Sequence, residues 1–462
     1  MSDFVVEPAH LVEAAGDSLS KLVRQARALR LVPPAADVLP LSSTKAREQL
    51  PSFGQQVFQV LRMATGDLPE VNRLSALLLP AELLPLDRLW LPATGETSSI
   101  PWEAACTSEN DWIAHDPAIS IVYRTQWNAH PREDRVVAGR PSVLVITSMP
   151  RNLPSANVEL QHQRISRLIS RYPEATEGMF RWSTNRSLAA IRREIAEYGT
   201  NILHVIAHGQ SGKILWEDER QMALPLAAEN FCAQLSVPSL RVVLLSVCDS
   251  ASPPDGSRSL AATAAAGLAP SVIGMRATLD ELAAAIFTET FYESLLQNPR
   301  TALDQLVQAG RQALYVAAVS GDIGVGQWTM PTLFLRDSAV RFGAPRGQDS
   351  DEARAHQLAG TWTGAPYPAR LRLPDGVCVP IAPTGTTLGR SYRADIRLEY
   401  WSSRPFQAII RWVAREYRLL NLGAASGIRV NGDPVREKGL SDGDQIIIEN
   451  SLFYFELGDT ND

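Results

Sequence analysis

Two strand-like runs in the middle of this 462-residue chain each stop on a side chain capable of covalent or acid-base chemistry. Asn201-Ile-Leu-His-Val-Ile-Ala-His208-Gly209 ends on an imidazole, and Arg241-Val-Val-Leu-Leu-Ser-Val-Cys248-Asp249-Ser250 ends on a thiol forty residues later. A thiol attacks as its thiolate, and an imidazole at hydrogen-bond range both promotes that ionisation and returns a proton to a leaving group. The pair therefore suggests attack on a carbonyl carbon. The resulting oxyanion needs fixed donors, and the backbone N–H groups of Gly209 and Cys248 are candidates to supply them. Both runs are apolar and rich in β-branched residues, as in strands buried on both faces of a parallel sheet. The carboxyl ends of such strands share the edge where sites form in open α/β folds.

Blander readings stand beside this one. A cysteine closing an apolar strand is often a packing residue, and a lone histidine is often a structural hydrogen bonder. His204 lies on the same strand face as His208 but in mid-run, which predicts a core role. The His204/His208 spacing also evokes a zinc pair, yet Val205 replaces the Glu of H-E-x-x-H and the segment reads as strand. No metal and no cofactor is expected.

The elements that must position the pair follow from periodicity. From Ser43 to about Arg336 helical and strand-like runs alternate, the pattern of a sheet covered by helices. Strands are expected at Ser142–Thr147, Ile202–His208, Val242–Cys248, Ser271–Met275 and Thr332–Leu335. Helices are expected at Val158–Ile169, Ser187–Tyr198, Leu282–Gln297 and Pro299–Leu314. Residues 1–44 read as an amphipathic helical segment, 45–340 as the α/β domain, and 341–368 as an exposed linker. Residues 369–459 change texture to short alternating strands, with Asn431-Gly432 as a hairpin signal, and should form an all-β sandwich.

Composition narrows the function classes. The formal charge of −6 and a 45% hydrophobic content describe a folded protein with no general attraction to nucleic acid or an anionic membrane. The amino terminus has no basic and apolar leader, and the cysteines Cys106, Cys232, Cys248 and Cys378 are far apart without zinc spacing, so a cytoplasmic, reducing location is expected. The uncharged run Ser259–Met275 is shorter than the roughly 20 residues a membrane span needs and reads as a helix followed by a strand.

With these residues in view, roughly residues 70 to 336 resemble the CHAT family of caspase-like cysteine peptidases related to separases. Leu203-His204-Val-Ile-Ala-His208-Gly209 looks like that family's His-Gly motif, and Val242-Val-Leu-Leu-Ser-Val-Cys248-Asp-Ser like its cysteine motif. Asp87-Arg-Leu-Trp-Leu-Pro through Ile100-Pro-Trp-Glu-Ala, the small-residue stretch from Ser259 to Gly274, and Trp328-Thr-Met-Pro-Thr-Leu-Phe-Leu resemble its flanking segments. The resemblance implies an α/β caspase-like fold and a protein-cleaving enzyme with His208 as acid/base and Cys248 as nucleophile. The sequence departs from the pattern at Asp249, where Glu is more usual, and at Met275-Arg276-Ala-Thr-Leu-Asp280, where relatives carry a Trp and an acidic residue near the substrate pocket. Asp249 or Asp280 would favour a basic substrate side chain there, or either would serve as a helix cap.

Residues from about Ala369 to Leu457 resemble a forkhead-associated (FHA) domain, a sandwich whose loops recognise phosphothreonine. Leu388-Gly389-Arg390-Ser391, Ser402-Ser403-Arg404 and Asn421-Leu-Gly423 with Ser426-Gly427 carry the likeness. Arg390 and Ser403, with Arg404 and Ser426, are the implied phosphopeptide contacts, since a guanidinium and a hydroxyl converging from two loops chelate phosphate. Phe406 and Ser426 depart from the pattern, standing where a bracing His and a ligand-contacting Asn are usual. The whole then reads as a regulated bacterial cysteine endopeptidase, in defence or stress signalling, whose FHA-like module recruits a phosphothreonine-containing or docking protein partner. The rival is a catalytically silent adaptor built on the same two modules. A small-molecule acyl-transfer enzyme has less sequence support, and no motif sets an oligomeric state.

Overall fold

The computed structural model describes residues 2–6, 8–33, 38, 41–64, 86–107, 112–115, 120–125, 135–138, 140–154, 158–183, 187–210, 212–253, 258–297, 299, 301–336, 338–343, 369–374, 376–381, 386–389, 396–398, 407–413, 416–421, 428–448 and 451–457. The described residues divide into two compact units, the first comprising those up to residue 343 and the second those from residue 369.

In the first unit the strands are β1 (Ser2–Val5), β2 (Leu86–Pro92), β3 (Ser120–Arg124), β4 (Arg135–Ala138), β5 (Val143–Thr147), β6 (Phe180–Trp182), β7 (Ile202–Gln210), β8 (Lys213–Glu217), β9 (Ala223–Ala227), β10 (Val242–Val247), β11 (Ser271–Met275), β12 (Pro331–Leu335) and β13 (Val340–Gly343). The main sheet runs in the order β1-β2-β3-β12-β11-β10-β7-β5-β6, with the β8–β9 hairpin extending from β7. Neighbours on that path are parallel except β11 and β12. Two parallel blocks of opposite sense therefore meet at one antiparallel pair. The residues of β3, β11 and β12 are buried throughout, as continuous apolar runs covered on both faces require. The strands expected at Ser142–Thr147, Ile202–His208, Val242–Cys248, Ser271–Met275 and Thr332–Leu335 all form, within two residues at each end.

The helices are α1 (Pro8–Ala15), α2 (Ser18–Ala28), α3 (Ser43–Ala64), α4 (Val158–Arg171), α5 (Leu188–Glu197), α6 (Ala228–Leu235), α7 (Leu260–Gly267), α8 (Glu281–Gln297) and α9 (Leu303–Ser320), besides a single turn at Pro173–Thr176. Helices α4 and α8 pack together and meet His204 and Ser246 through Gln161 and Thr288. Helix α7 packs on β11, and its alanines allow a close approach: a Cβ on Gly274 would lie 2.7 Å from Ala261 Cβ. Ser259, the α7 N-cap, accepts the Ala262 N–H at 3.1 Å. In place of a purely helical amino-terminal segment, residues 2–5 form β1 at the end of the sheet, Val6 N–H donates to Trp90 O, and α1 packs on α3. The segment belongs to the first unit.

A buried charge cluster ties distant parts of this unit. Glu103 accepts from Arg311 Nη2 at 3.2 Å and from Tyr123 Oη at 3.0 Å, with Arg276 Nη2 at 3.6 Å. Arg276 Nη1 donates to Ser98 O at 2.9 Å, and burial holds the Tyr123 phenol well above its ordinary range. Arg88 and Asp304 pair at 2.7 Å, also buried.

The second unit is all-β, with a six-stranded and a five-stranded sheet among the described residues, antiparallel except for one parallel pair. Alternate residues such as Leu371, Leu388, Ile410, Leu419, Ile428, Ile446 and Phe455 form its core. The Asn-Gly hairpin forms as its sequence predicts. Val430 pairs with Asp433 across Asn431 (φ 54°) and Gly432 (φ 91°), two left-handed residues in a row as a type I′ turn demands.

Candidate active site

The two reactive residues stand side by side because their strands do. β7 and β10 are parallel neighbours registered through Ala207↔Val247, so His208 and Cys248 occupy the next step, on strands ~4.8 Å apart. Both are half-buried, whereas the residues before them sink into the sheet. Gly209 is required at this place. A Cβ there would lie 2.0 Å from the carbonyl oxygen of Cys248 and 2.6 Å from Val247 Cγ1, and backbone cannot move aside as a flexible side chain would. The missing side chain lets the two strand ends close on each other.

The imidazole is oriented by a group that sequence reasoning missed. His208 Nε2 lies 2.7 Å from the carbonyl oxygen of Pro154. A carbonyl only accepts, so Nε2 carries the hydrogen and Nδ1 keeps its lone pair. The orienting group is a main-chain atom, which leaves no side-chain signature.

Burial pushes the Cys248 thiol above its ordinary pKa; the Leu279 N–H opposes this, the Asp249 charge adds to it, and the Cys248 N–H and Thr278 hydroxyl oppose it more weakly. The thiol form is thereby favoured at rest. The segment Thr278–Leu279, which follows β11, thus borders the sulfur.

The two acids singled out from sequence separate here. Asp249 follows Cys248 with a left-handed backbone (φ 59°), and its Oδ1 is buried with no hydrogen-bond partner among the described residues. Burial raises its carboxyl to about 6. Asp280 is exposed and caps α8: its Oδ1 accepts the Leu282 N–H at 2.9 Å, and its own N–H donates to Gln327 Oε1 at 2.7 Å. His204 is fully buried, as its mid-strand position predicts.

Among the described residues no group of three metal-ligating side chains comes together, and no described helix is long and apolar enough to cross a membrane. Arg390, Ser403, Arg404, Phe406 and Ser426 lie outside the described residues.

Comparison with known proteins adds the following. The CHAT domain family model matches residues 68–360, and the FHA domain family model matches residues 386–449. Among solved structures the chain is similar to an FHA domain analysed for phosphothreonine-dependent interactions, at 28% identity over 20% of this chain and 98% of that one, TM-score 0.19. It is similar to the FhaA FHA domain, crystallised with the intracellular domain of another protein, at 29% identity over 19% and 99%, TM-score 0.18. A third is Mycobacterium tuberculosis EmbR in complex with a low-affinity phosphopeptide, at 20% identity over 39% and 47%, TM-score 0.20. No curated protein matches the chain.

Proposed function

This chain belongs to the CHAT domain family and carries an FHA domain behind its CHAT region, and from that premise we propose that it is a cysteine endopeptidase acting on a protein substrate. The observation that carries the proposal is the registered placement of His208 beside Cys248, with Pro154 O fixing the imidazole so that Nδ1 is the free base. On substrate binding, Nδ1 takes the thiol proton and the Cys248 sulfur attacks the scissile carbonyl carbon. The N–H groups of Gly209 and Cys248 receive the oxyanion. Collapse of the tetrahedral intermediate breaks the C–N bond, the imidazolium returns its proton to the departing amine, and a thioester remains. His208 then deprotonates water for attack on the thioester, which releases the new carboxylate and restores the thiol.

Asp249 is the preferred acid for a basic substrate side chain, because its Oδ1 has no hydrogen-bond partner among the described residues, whereas the Asp280 carboxylate is engaged as a cap. The FHA domain recruits a phosphothreonine-containing partner through Arg390, Ser403, Arg404 and Ser426, placing cleavage under phosphorylation control in the bacterial cytoplasm, with defence or stress signalling as the setting. One observation favours the adaptor reading instead: the resting Cys248 is held as the neutral thiol.

Incubation of host proteins, phosphorylated and not, with wild type and Cys248→Ala decides between the two. New amino termini that require Cys248 and follow Arg or Lys support the peptidase. Identical products from the two proteins in both settings overturn it in favour of the adaptor.

A further inference from the structure

Beneath the reactive pair, on the same face of the sheet, a chain of polar groups, buried at His204, Gln161 and Thr288 and half-buried at Ser246, joins both catalytic strands to both covering helices. His204 Nε2 on β7 lies 3.0 Å from Ser246 Oγ on β10. Ser246 Oγ lies 3.1 Å from Gln161 Oε1 on α4, and Thr288 Oγ1 on α8 reaches the same oxygen at 3.1 Å. An amide oxygen only accepts, so Ser246 and Thr288 both donate to it. Ser246 has then used its single proton and must accept from His204, which places the imidazole hydrogen on Nε2. Burial pushes His204 down to about 3, so the ring stays neutral in this role. Its Nδ1 has no hydrogen-bond partner among the described residues, an arrangement that costs stability in a fully buried ring. A hydrocarbon ring would serve packing better, so the value of an imidazole here lies in its Nε2 bond.

We propose that the His204–Ser246 hydrogen bond, anchored on Gln161, is a positioning device that sets the spacing of the β7 and β10 ends and so brings His208 and Cys248 within proton-transfer range. This rests on the dyad proposed above. Ser246 is two residues before Cys248 and His204 four before His208, so each tie point shares a strand face with the residue it positions. Gln161 and Thr288 join the same bond to α4 and α8, so that the strand ends cannot shear without breaking a network whose other three members are buried.

The test reads Cys248 directly and needs no substrate: its carbamidomethylation by iodoacetamide, followed by mass spectrometry of the full chain between about pH 5 and pH 9. Wild type should show a His208-dependent reactive limb below the pH at which the thiol ionises by itself, with Nδ1 taking the thiol proton, and His208→Ala should lack it. Ser246→Ala and His204→Phe should lose that limb, with a rate at pH 7 down about tenfold, while retaining the wild-type circular dichroism. Ser246→Thr, which keeps a hydroxyl, should restore it. Profiles of Ser246→Ala and His204→Phe that superimpose on wild type would overturn the positioning role and leave the dyad standing. Coincidence of His208→Ala with wild type would instead remove the dyad itself, and with it anything to position. Should His204→Phe not fold, Ser246→Ala decides alone, since it deletes one oxygen.

Discussion

Asp249 combines three properties on one residue: a left-handed backbone, a buried oxygen without a hydrogen-bond partner among the described residues, and a place next to Cys248 in the chain. Its folded-state pKa of about 6 stands above the ordinary value of 3.8. Between those values the folded chain binds more protons than the unfolded one, so stability falls as pH rises through the window and the full penalty is present above about pH 6. Asp249→Asn should therefore be more stable than wild type at pH 7.5 and equal to it below about pH 4, as urea unfolding at the two pH values would report. Parallel pH dependences would refute the assignment. The same substitution removes a charge that raises the Cys248 thiol, so it should also speed alkylation of Cys248 near neutral pH. If Asp249 receives a basic side chain, the variant gains stability and a readier thiol yet loses selectivity for Arg and Lys, a combination that separates recognition from fold.

At the scale of elements, the Glu103 cluster joins the connection between β2 and β3 to the end of β11 and to α9. Glu103→Gln would leave Arg276 and Arg311 facing each other in the core, and should cost about 3–5 kcal/mol of unfolding free energy, measured by urea denaturation. None of this cluster was legible in the sequence, because its members lie 20 to 208 residues apart and carry no periodic signal. The strands that carry His208 and Cys248 and their neighbour were legible for the opposite reason: Val143–Ile146, Ile202–Ala207 and Val242–Val247 are apolar runs interrupted only at His204 and Ser246, which few structures other than a doubly covered parallel strand accommodate. The amino-terminal strand escaped notice because four residues at a sheet end give too little alternation to read. The start expected at Pro299 moved to Leu303, where the helix proper begins after Ala302. For the site, side chains gave His208 and Cys248 to sequence reasoning, whereas Pro154 acts through its carbonyl. Choosing Asp249 over Asp280 required knowing which carboxylate was already bonded.

At the scale of the molecule, each unit has a core of its own, the first around the long sheet and the second among Leu371, Ile410, Ile446 and Phe455. Calorimetry should accordingly resolve two transitions, and Glu103→Gln should lower only one of them; a single transition shifted as a whole would show that the units unfold together. The joint between the two blocks of the long sheet carries a further consequence, one that concerns birth and not catalysis. β12 is the last strand of that sheet to emerge from the ribosome, yet its place is in the middle, between β3 and β11. Until residues 331–335 are made, the amino-terminal block and the block bearing His208 and Cys248 share no strand pairing, and each waits with an open apolar edge of the kind that invites aggregation. A translation product that stops short of this keystone is therefore two half-sheets in search of a partner, not a shortened version of the folded chain.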